Sequence, residues 1–269
     1  MLILKENHPI GIFDSGIGGL TVARALVDAL PNESIIYFGD TAHLPYGDKS
    51  VQAIQGYAKK ITDFLLTQEV KLILIACNSA SAAAYEMLGD YIGSRALLVN
   101  VIDPVSKFLS ENYAGQRVGL IGTKLTVESG VYNEKLSKFK SQIDLRALAT
   151  PLLVHIIEEG YSEHKLIDVA LTEYLSNSSI QDIEALVLGC THYQVIKDKI
   201  TDFYQNRVDV IDAAKIVASK VGAILMAEGI LATAPSQRRF YVSDYTDNFA
   251  HMTKIFFGQE VEVQALDIF

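Results

Sequence analysis

The sequence predicts an α/β protein made of two similar parallel-sheet units, and three observations carry that reading. Short, continuously apolar runs rich in Val, Ile and Leu recur along the chain. Longer amphipathic stretches separate them, as crossover helices do between strands buried on both faces. A weak internal repeat then divides the pattern. The first half has a strand followed by Asp14–Ser15–Gly16 and, later, a strand running into Cys77–Asn78–Ser79. The second half has a strand followed by Gly122–Thr123–Lys124 and, at similar spacing, a strand running into Cys190–Thr191–His192.

In chain order, strands are predicted at 9–13, 34–38, 71–76, 96–101, 117–121, 143–148, 185–188 and 208–211, with a ninth and tenth at 239–242 and 261–266. Helical periodicity is plain at 20–30, 51–68, 79–88, 166–175 and 213–227. No low-complexity linker separates the halves. The boundary is placed at Asp103–Pro104, because proline disfavours helical backbone in the residue before it.

Bulk properties exclude several function classes. A hydrophobic fraction of 49% in 269 residues provides ample core. The net charge of −9, without a dense Lys/Arg stripe, argues against a nucleic-acid partner. No apolar run has the length of a membrane span, and the start MLILKENHPIGIF lacks the layout of a secretory signal, so no membrane association and a cytoplasmic location are expected. In that compartment the two cysteines are expected to be free thiols.

Each cysteine follows an apolar strand, LILIA before Cys77 and ALVLG before Cys190, and precedes polar residues that open a helical pattern. Ligands of parallel α/β sheets bind at such carboxyl ends. A helix amino terminus there favours thiolate over thiol. A single buried cysteine reads as a small apolar residue; two at equivalent strand ends point to chemistry. Two like groups on opposite faces of a carbon suit racemisation, because one removes the α-proton, the other returns one, and the roles exchange in reverse. Charge developing on the substrate needs fixed donors. Ser15, Asn78, Ser79, Thr123, Thr191 and the backbone of 16–19 are the candidates.

The segment DSGIGGLT is neither a dinucleotide nor a P-loop fingerprint and has no following Lys, so it is read as a carboxylate-holding turn. Asp14, at a strand end, can orient or accept a proton. His192 can share one with Cys190. Glu158 and Glu159 by themselves read as an exposed helix end before a capping glycine, and Tyr46 and Gly47 lie in a polar loop that could close over a ligand. No CxxC or HExxH pattern supports a metal, and neither a Schiff-base lysine nor a phosphate cradle stands out, so no metal and no cofactor are expected.

Five blocks, IGIFDSGIGGLTVARAL, GDTAHLPYGDKS, ACNSASA, GLIGTKLTV and LGCTHY, resemble glutamate racemase within the aspartate/glutamate racemase group. The resemblance implies two α/β domains with the active site in the cleft between them. The first would comprise 1–102 plus 212–269, the second 103–211. It further implies cofactor-independent interconversion of L- and D-glutamate, supplying D-glutamate for peptidoglycan. Cys77 would act on D-glutamate with Asp14 assisting, and Cys190 on L-glutamate with His192 assisting. Glu158, or Glu159 beside it, would fill an acidic site position. Asp14, Ser15, Tyr46, Gly47, Asn78, Ser79, Thr123, Thr191 and His192 would bind substrate. Histidine at 192 favours glutamate over aspartate, the nearest alternative substrate. A catalytically silent binding protein and a zinc hydrolase are the alternatives from other classes. Ser79, Gln194 and His155 depart from the usual threonine, proline and proline. No amino-terminal extension for an activating peptidoglycan precursor is expected. A homodimer is the expected assembly.

Overall fold

A computed structural model describes residues 5–234, 236–245 and 249–269, the last stretch with side chains from Met252 on. The first four residues of the amino-terminal segment read above lie outside it. The chain opens in strict alternation: β1 (Ile10–Asp14), α1 (Leu20–Ala29), β2 (Ile35–Gly39), α2 (Val51–Thr67), β3 (Leu72–Ile75), α3 (Asn78–Ile92), β4 (Leu97–Asn100) and α4 (Ile102–Asn112). Next come β5 (Arg117–Gly122), α5 (Lys124–Glu128), α6 (Val131–Lys138), β6 (Asp144–Ala149), α7 (Pro151–Glu158), α8 (Lys165–Leu175), β7 (Ala185–Gly189), α9 (Lys197–Phe203) and β8 (Asp209–Ile211). α10 (Ala213–Ala227), β9 (Arg238–Val242), α11 (Phe249–Phe257) and β10 (Val263–Ala265) complete it. The ten strands among the described residues lie within two residues of the predicted ranges.

The strands form two sheets, parallel throughout: β10-β9-β2-β1-β3-β4 and β6-β5-β7-β8. The repeat is therefore topological. β2-β1-β3-β4 and β6-β5-β7-β8 are the same order, with β9 and β10 added on the outer side of β2. In each order the winding reverses between the first and third strands, opening a crevice at their carboxyl ends. Asp14–Ser15 and Cys77–Asn78 flank one crevice; Gly122–Thr123 and Cys190–Thr191 flank the other.

Pleat alternation divides the first sheet's apolar residues between two cores. Ile10, Ile12, Tyr37, Leu72 and Leu74 pack under α1, in a core that continues through α4 and α10 into the second sheet. Phe13, Phe38, Ile73 and Ile75 pack under α2 and α3. Beyond α10, a buried lysine fastens the returning chain. Lys71 Nζ pairs with Glu33 Oε2 at 2.7 Å and donates to the Ile230 carbonyl at 2.7 Å, while Glu33 Oε1 accepts from the Ala232 amide at 2.8 Å. Two buried charges are tolerated there because each is both paired and hydrogen-bonded.

One expectation is corrected. Asp103, placed at a break by the proline that follows it, is helical: Pro104 sits in the first turn of α4, and the chain passes between the sheets as a helix. A first-turn proline forfeits an N–H that has no intrahelical acceptor. Asn100 Oδ1 accepts from the amides of Ile102 and Asp103, both at 2.8 Å, and so caps the turn.

Candidate active site

A narrow cavity of about 20 Å³ lies where the two crevices meet. Ser15, Tyr46, Gly47, Cys77, Asn78 and Ser79 line it from the first sheet's side, and Thr123, Cys190, Thr191 and His192 from the second's. Pro45, Val154 and Gly189 complete the wall. Both thiols thus border one space, each carried by a different sheet.

Cys77 caps α3. Its Sγ accepts from the Ala80 amide at 3.4 Å and donates to Ser15 Oγ at 3.7 Å. The thiolate expected from this helix amino terminus is not the resting state. Burial, reinforced by the nearby Asp14 carboxylate, pushes the Cys77 pKa up to about 12, and the two hydrogen bonds only partly offset it.

Cys190 has different support. A 3-10 turn, Thr191–Ile196, follows it in place of an α-helix, and the Cys190 side chain caps nothing. Its sulfur lies 3.6 Å from His192 Nδ1. The opposite nitrogen, Nε2, bonds to Glu158 Oε1. Burial alone would lower the His192 pKa, but the Glu158 carboxylate and the Cys190 sulfur outweigh it and hold the value well above the ordinary imidazole range. A protonated ring donates from both nitrogens, so it can hydrogen-bond the Cys190 sulfur and the Glu158 carboxylate at once. Of the two neighbouring glutamates, Glu158 reaches His192 while Glu159, the residue capping α7, is exposed.

Asp14 ends β1 fully buried. Its Oδ2 accepts from the Gly16 and Gly19 amides at 3.2 and 3.1 Å, and Oδ1 accepts from Thr191 Oγ1 at 3.4 Å. The glycine-rich turn therefore spends these two donors on Asp14, not on a bound carboxylate as its sequence suggested. Burial raises the Asp14 pKa; His192 and the two amides pull against it without prevailing. The glycines serve close approach. A Cβ on Gly18 would stand 2.6 Å from His192 Nδ1, and one on Gly19 2.5 Å from Asp14 Cβ.

The remaining predicted residues fall into place around this centre. Ser79 Oγ and Thr123 Oγ1 are 2.9 Å apart, a hydroxyl pair bridging the sheets. A Cβ on Gly47 would stand 2.6 Å from Thr123 Cβ, so the 45–47 wall presses on the second sheet. Tyr46 borders the cavity, and its hydroxyl donates to Asp40 Oδ2 at 2.6 Å. Asp40, fully buried, also accepts from Ser243 Oγ at 2.8 Å and contacts His43 Nδ1 at 2.8 Å. Sequence reasoning passed over this knot because its members read as polar loop. It passed over Tyr132 as well, whose hydroxyl donates to Asn78 Oδ1 at 2.9 Å. Among the described residues no cluster of three or more His, Cys, Asp or Glu could hold a metal ion, and no helix is long and apolar enough to cross a membrane.

The chain is similar to known proteins over nearly its whole length. A glutamate racemase of Chlorobaculum tepidum is 38% identical over 260 residues, covering 96% of this chain and 95% of the relative. One of Neisseria gonorrhoeae is 40% identical over 261 residues, covering 96% of each. The crystal structure of glutamate racemase from Francisella tularensis in complex with D-glutamate superposes with a TM-score of 0.90 at 36% identity, covering 98% of both chains. The Thermus thermophilus glutamate racemase with β-chloro-D-alanine gives 0.87 at 35% identity, again covering 98% of both. The Asp/Glu/Hydantoin racemase model matches residues 10–221. With most of its length matched by that model and by these relatives, the chain belongs to the Asp/Glu/Hydantoin racemase family.

Proposed function

We propose that the protein interconverts L- and D-glutamate without a cofactor, using Cys77 and Cys190 as the two proton-transfer groups, and thereby supplies D-glutamate for peptidoglycan. The observation that carries this reading is the single cavity bordered by both thiols from different sheets. The division into 1–102 plus 212–269 and 103–211 has its support in sheet membership, since β1–β4, β9 and β10 share one sheet and β5–β8 the other.

With L-glutamate bound, the Cys190 thiolate takes the α-proton and becomes a thiol. The carbanionic carbon then takes the Cys77 proton on its opposite face, which leaves D-glutamate and a Cys77 thiolate. With D-glutamate the roles exchange. The two sulfurs differ in their surroundings: the His192 cation faces Cys190, whereas burial and Asp14 keep Cys77 protonated. Substrate ammonium entering beside Cys77 would lower its pKa by favouring the charged form. Asp14, itself with a raised pKa, is the acidic group close enough to act on that proton. Ser15, Asn78, Ser79, Thr123 and Thr191 supply short polar groups for the two carboxylates and the amino group, with the cavity-lining backbone at Gly47 beside them.

Cys77→Ala and Cys190→Ala, each incubated with one enantiomer and followed by chiral chromatography, are expected to show no interconversion above background. Full activity in both directions from either variant would overturn the two-thiol reading. Turnover of aspartate but not glutamate by the unaltered protein would move the substrate.

A further inference from the structure

We propose that Tyr132 is a positioning residue for Asn78: reaching from α6 across the junction of the two halves, its phenol turns the Asn78 amide so that Oδ1 points to Tyr132 and Nδ2 is presented to the cavity. This rests on the reading of Asn78 as a ligand of a substrate carboxylate and adds the device that aims it.

Asn78 is the first residue of α3, directly after Cys77, and it borders the cavity. An asparagine side chain offers an acceptor at one end and two donors at the other, and a carboxylate is recognised only by the donor end. Tyr132 is 2% exposed and donates to Asn78 Oδ1 at 2.9 Å. Asn78 is its hydrogen-bond partner among the described residues, so the flipped amide would leave a buried phenol proton without an acceptor. Burial, with the Asp103 carboxylate adding to it, pushes the Tyr132 pKa up, which keeps the group a neutral donor.

α6 grips α3 at a second point. One turn beyond Tyr132, Lys135 Nζ lies 2.9 Å from Asp103 Oδ1 and 3.6 Å from Glu86 Oε1, and Glu86 is on α3. The helix that starts at Cys77 is thus held by the half that carries Cys190. The aimed donor exists only while the halves are together, so binding of the carboxylate and closure of the cavity favour each other.

The test is steady-state kinetics on both enantiomers for Tyr132→Phe, Asn78→Ala and the double variant, with thermal midpoints measured alongside. Phenylalanine keeps the ring and its packing. Tyr132→Phe is expected to raise KM about tenfold, as for loss of one hydrogen bond to the binding group, with kcat changed less than about threefold. On the Asn78→Ala background it is expected to add no more than about twofold, because coupled residues are not additive. An undiminished effect on that background would overturn the proposal, as would a lowered midpoint with unchanged KM in Tyr132→Phe. If Asn78→Ala itself leaves KM unchanged, the binding role of Asn78 fails. If it raises KM while Tyr132→Phe does not, the positioning role alone fails.

Discussion

Replacing Glu158 by glutamine removes one negative charge while keeping shape and an acceptor, and the structure fixes where that loss is felt. His192 is 2% exposed and held between Glu158 and the Cys190 sulfur. Without the carboxylate, only the Cys190 sulfur is left to oppose burial and the imidazole pKa falls. A neutral ring keeping its proton on Nε2 for the glutamine carbonyl turns a lone pair on Nδ1 toward Cys190. It then accepts from Cys190 instead of donating to the sulfur. A hydrogen bond to a charged group is worth about 1.5–3 kcal/mol. At about 1.4 kcal/mol per tenfold in rate, Glu158→Gln is expected to lower kcat/KM about ten- to hundredfold. With its side chain 23% exposed, Glu158 leaves solvent little of that loss to make up. Enantiomers are equal in free energy, so kcat/KM must fall by the same factor in both directions. The assay is the initial racemisation rate by circular dichroism across a pH series. In the unaltered protein, the activity supported by the imidazolium persists through neutral pH and declines only as pH rises through the raised His192 pKa; in the variant that decline moves to lower pH. A variant within twofold of the parent, with the same profile, would refute the reasoning.

Two further substitutions probe the centre from the other side. Asp14 has a folded pKa above its unfolded value, so its contribution to stability is complete below the ordinary carboxyl range and is lost as pH rises through the folded pKa. Asp14→Asn is therefore expected to raise the urea midpoint near neutral pH, by an amount that shrinks on acidification, while racemisation falls at least about a hundredfold through loss of a proton-handling group. Equal stability of the two proteins at neutral pH would contradict this. Gly18→Ala places a methyl 2.5 Å from Thr191 Oγ1 and 2.6 Å from His192 Nδ1. It is expected to cost about 1–3 kcal/mol of stability by overpacking and most of the activity, read by chemical denaturation and racemisation. Parental values in both would show that His192 is not confined as described.

Much of this architecture was legible in the sequence because the strands are doubly buried. A run such as LILIA has no polar residue to blur its ends, and Cys77 and Cys190 mark the carboxyl edge of each sheet. The repeat was legible for the same reason: the reversal of winding at β1 and β3 recurs at β5 and β7, and the polar residues cluster at both. What failed was the weighing of opposed effects. A helix amino terminus does favour a thiolate, but Cys77 is buried beside Asp14, and burial prevails. The amides of Gly16 and Gly19 are a good anion site, and an internal anion, Asp14, already occupies them. Side chains that act across the fold left no trace in local pattern. Tyr132 lies outside every helix that the periodicity predicts, though it meets a residue 54 positions away. Lys71 enters the sequence reading only as the first residue of the strand predicted at 71–76, yet it is fully buried and tied to Glu33 and to the chain beyond α10. Pro104 read as a break because the rule for the residue before proline was applied without knowing that a helix begins at Ile102.

The measurement that tests the two-thiol account most directly is exchange of the α-hydrogen with deuterated water, enantiomer by enantiomer, in the unaltered protein and in each cysteine variant. Cys77→Ala should label L-glutamate without inverting it, Cys190→Ala should label D-glutamate without inverting it, and the unaltered protein should label the product of inversion from either. Labelling of both enantiomers by one of the variants at the parental rate would mean that a single group serves both faces of the carbon, and the account would be wrong.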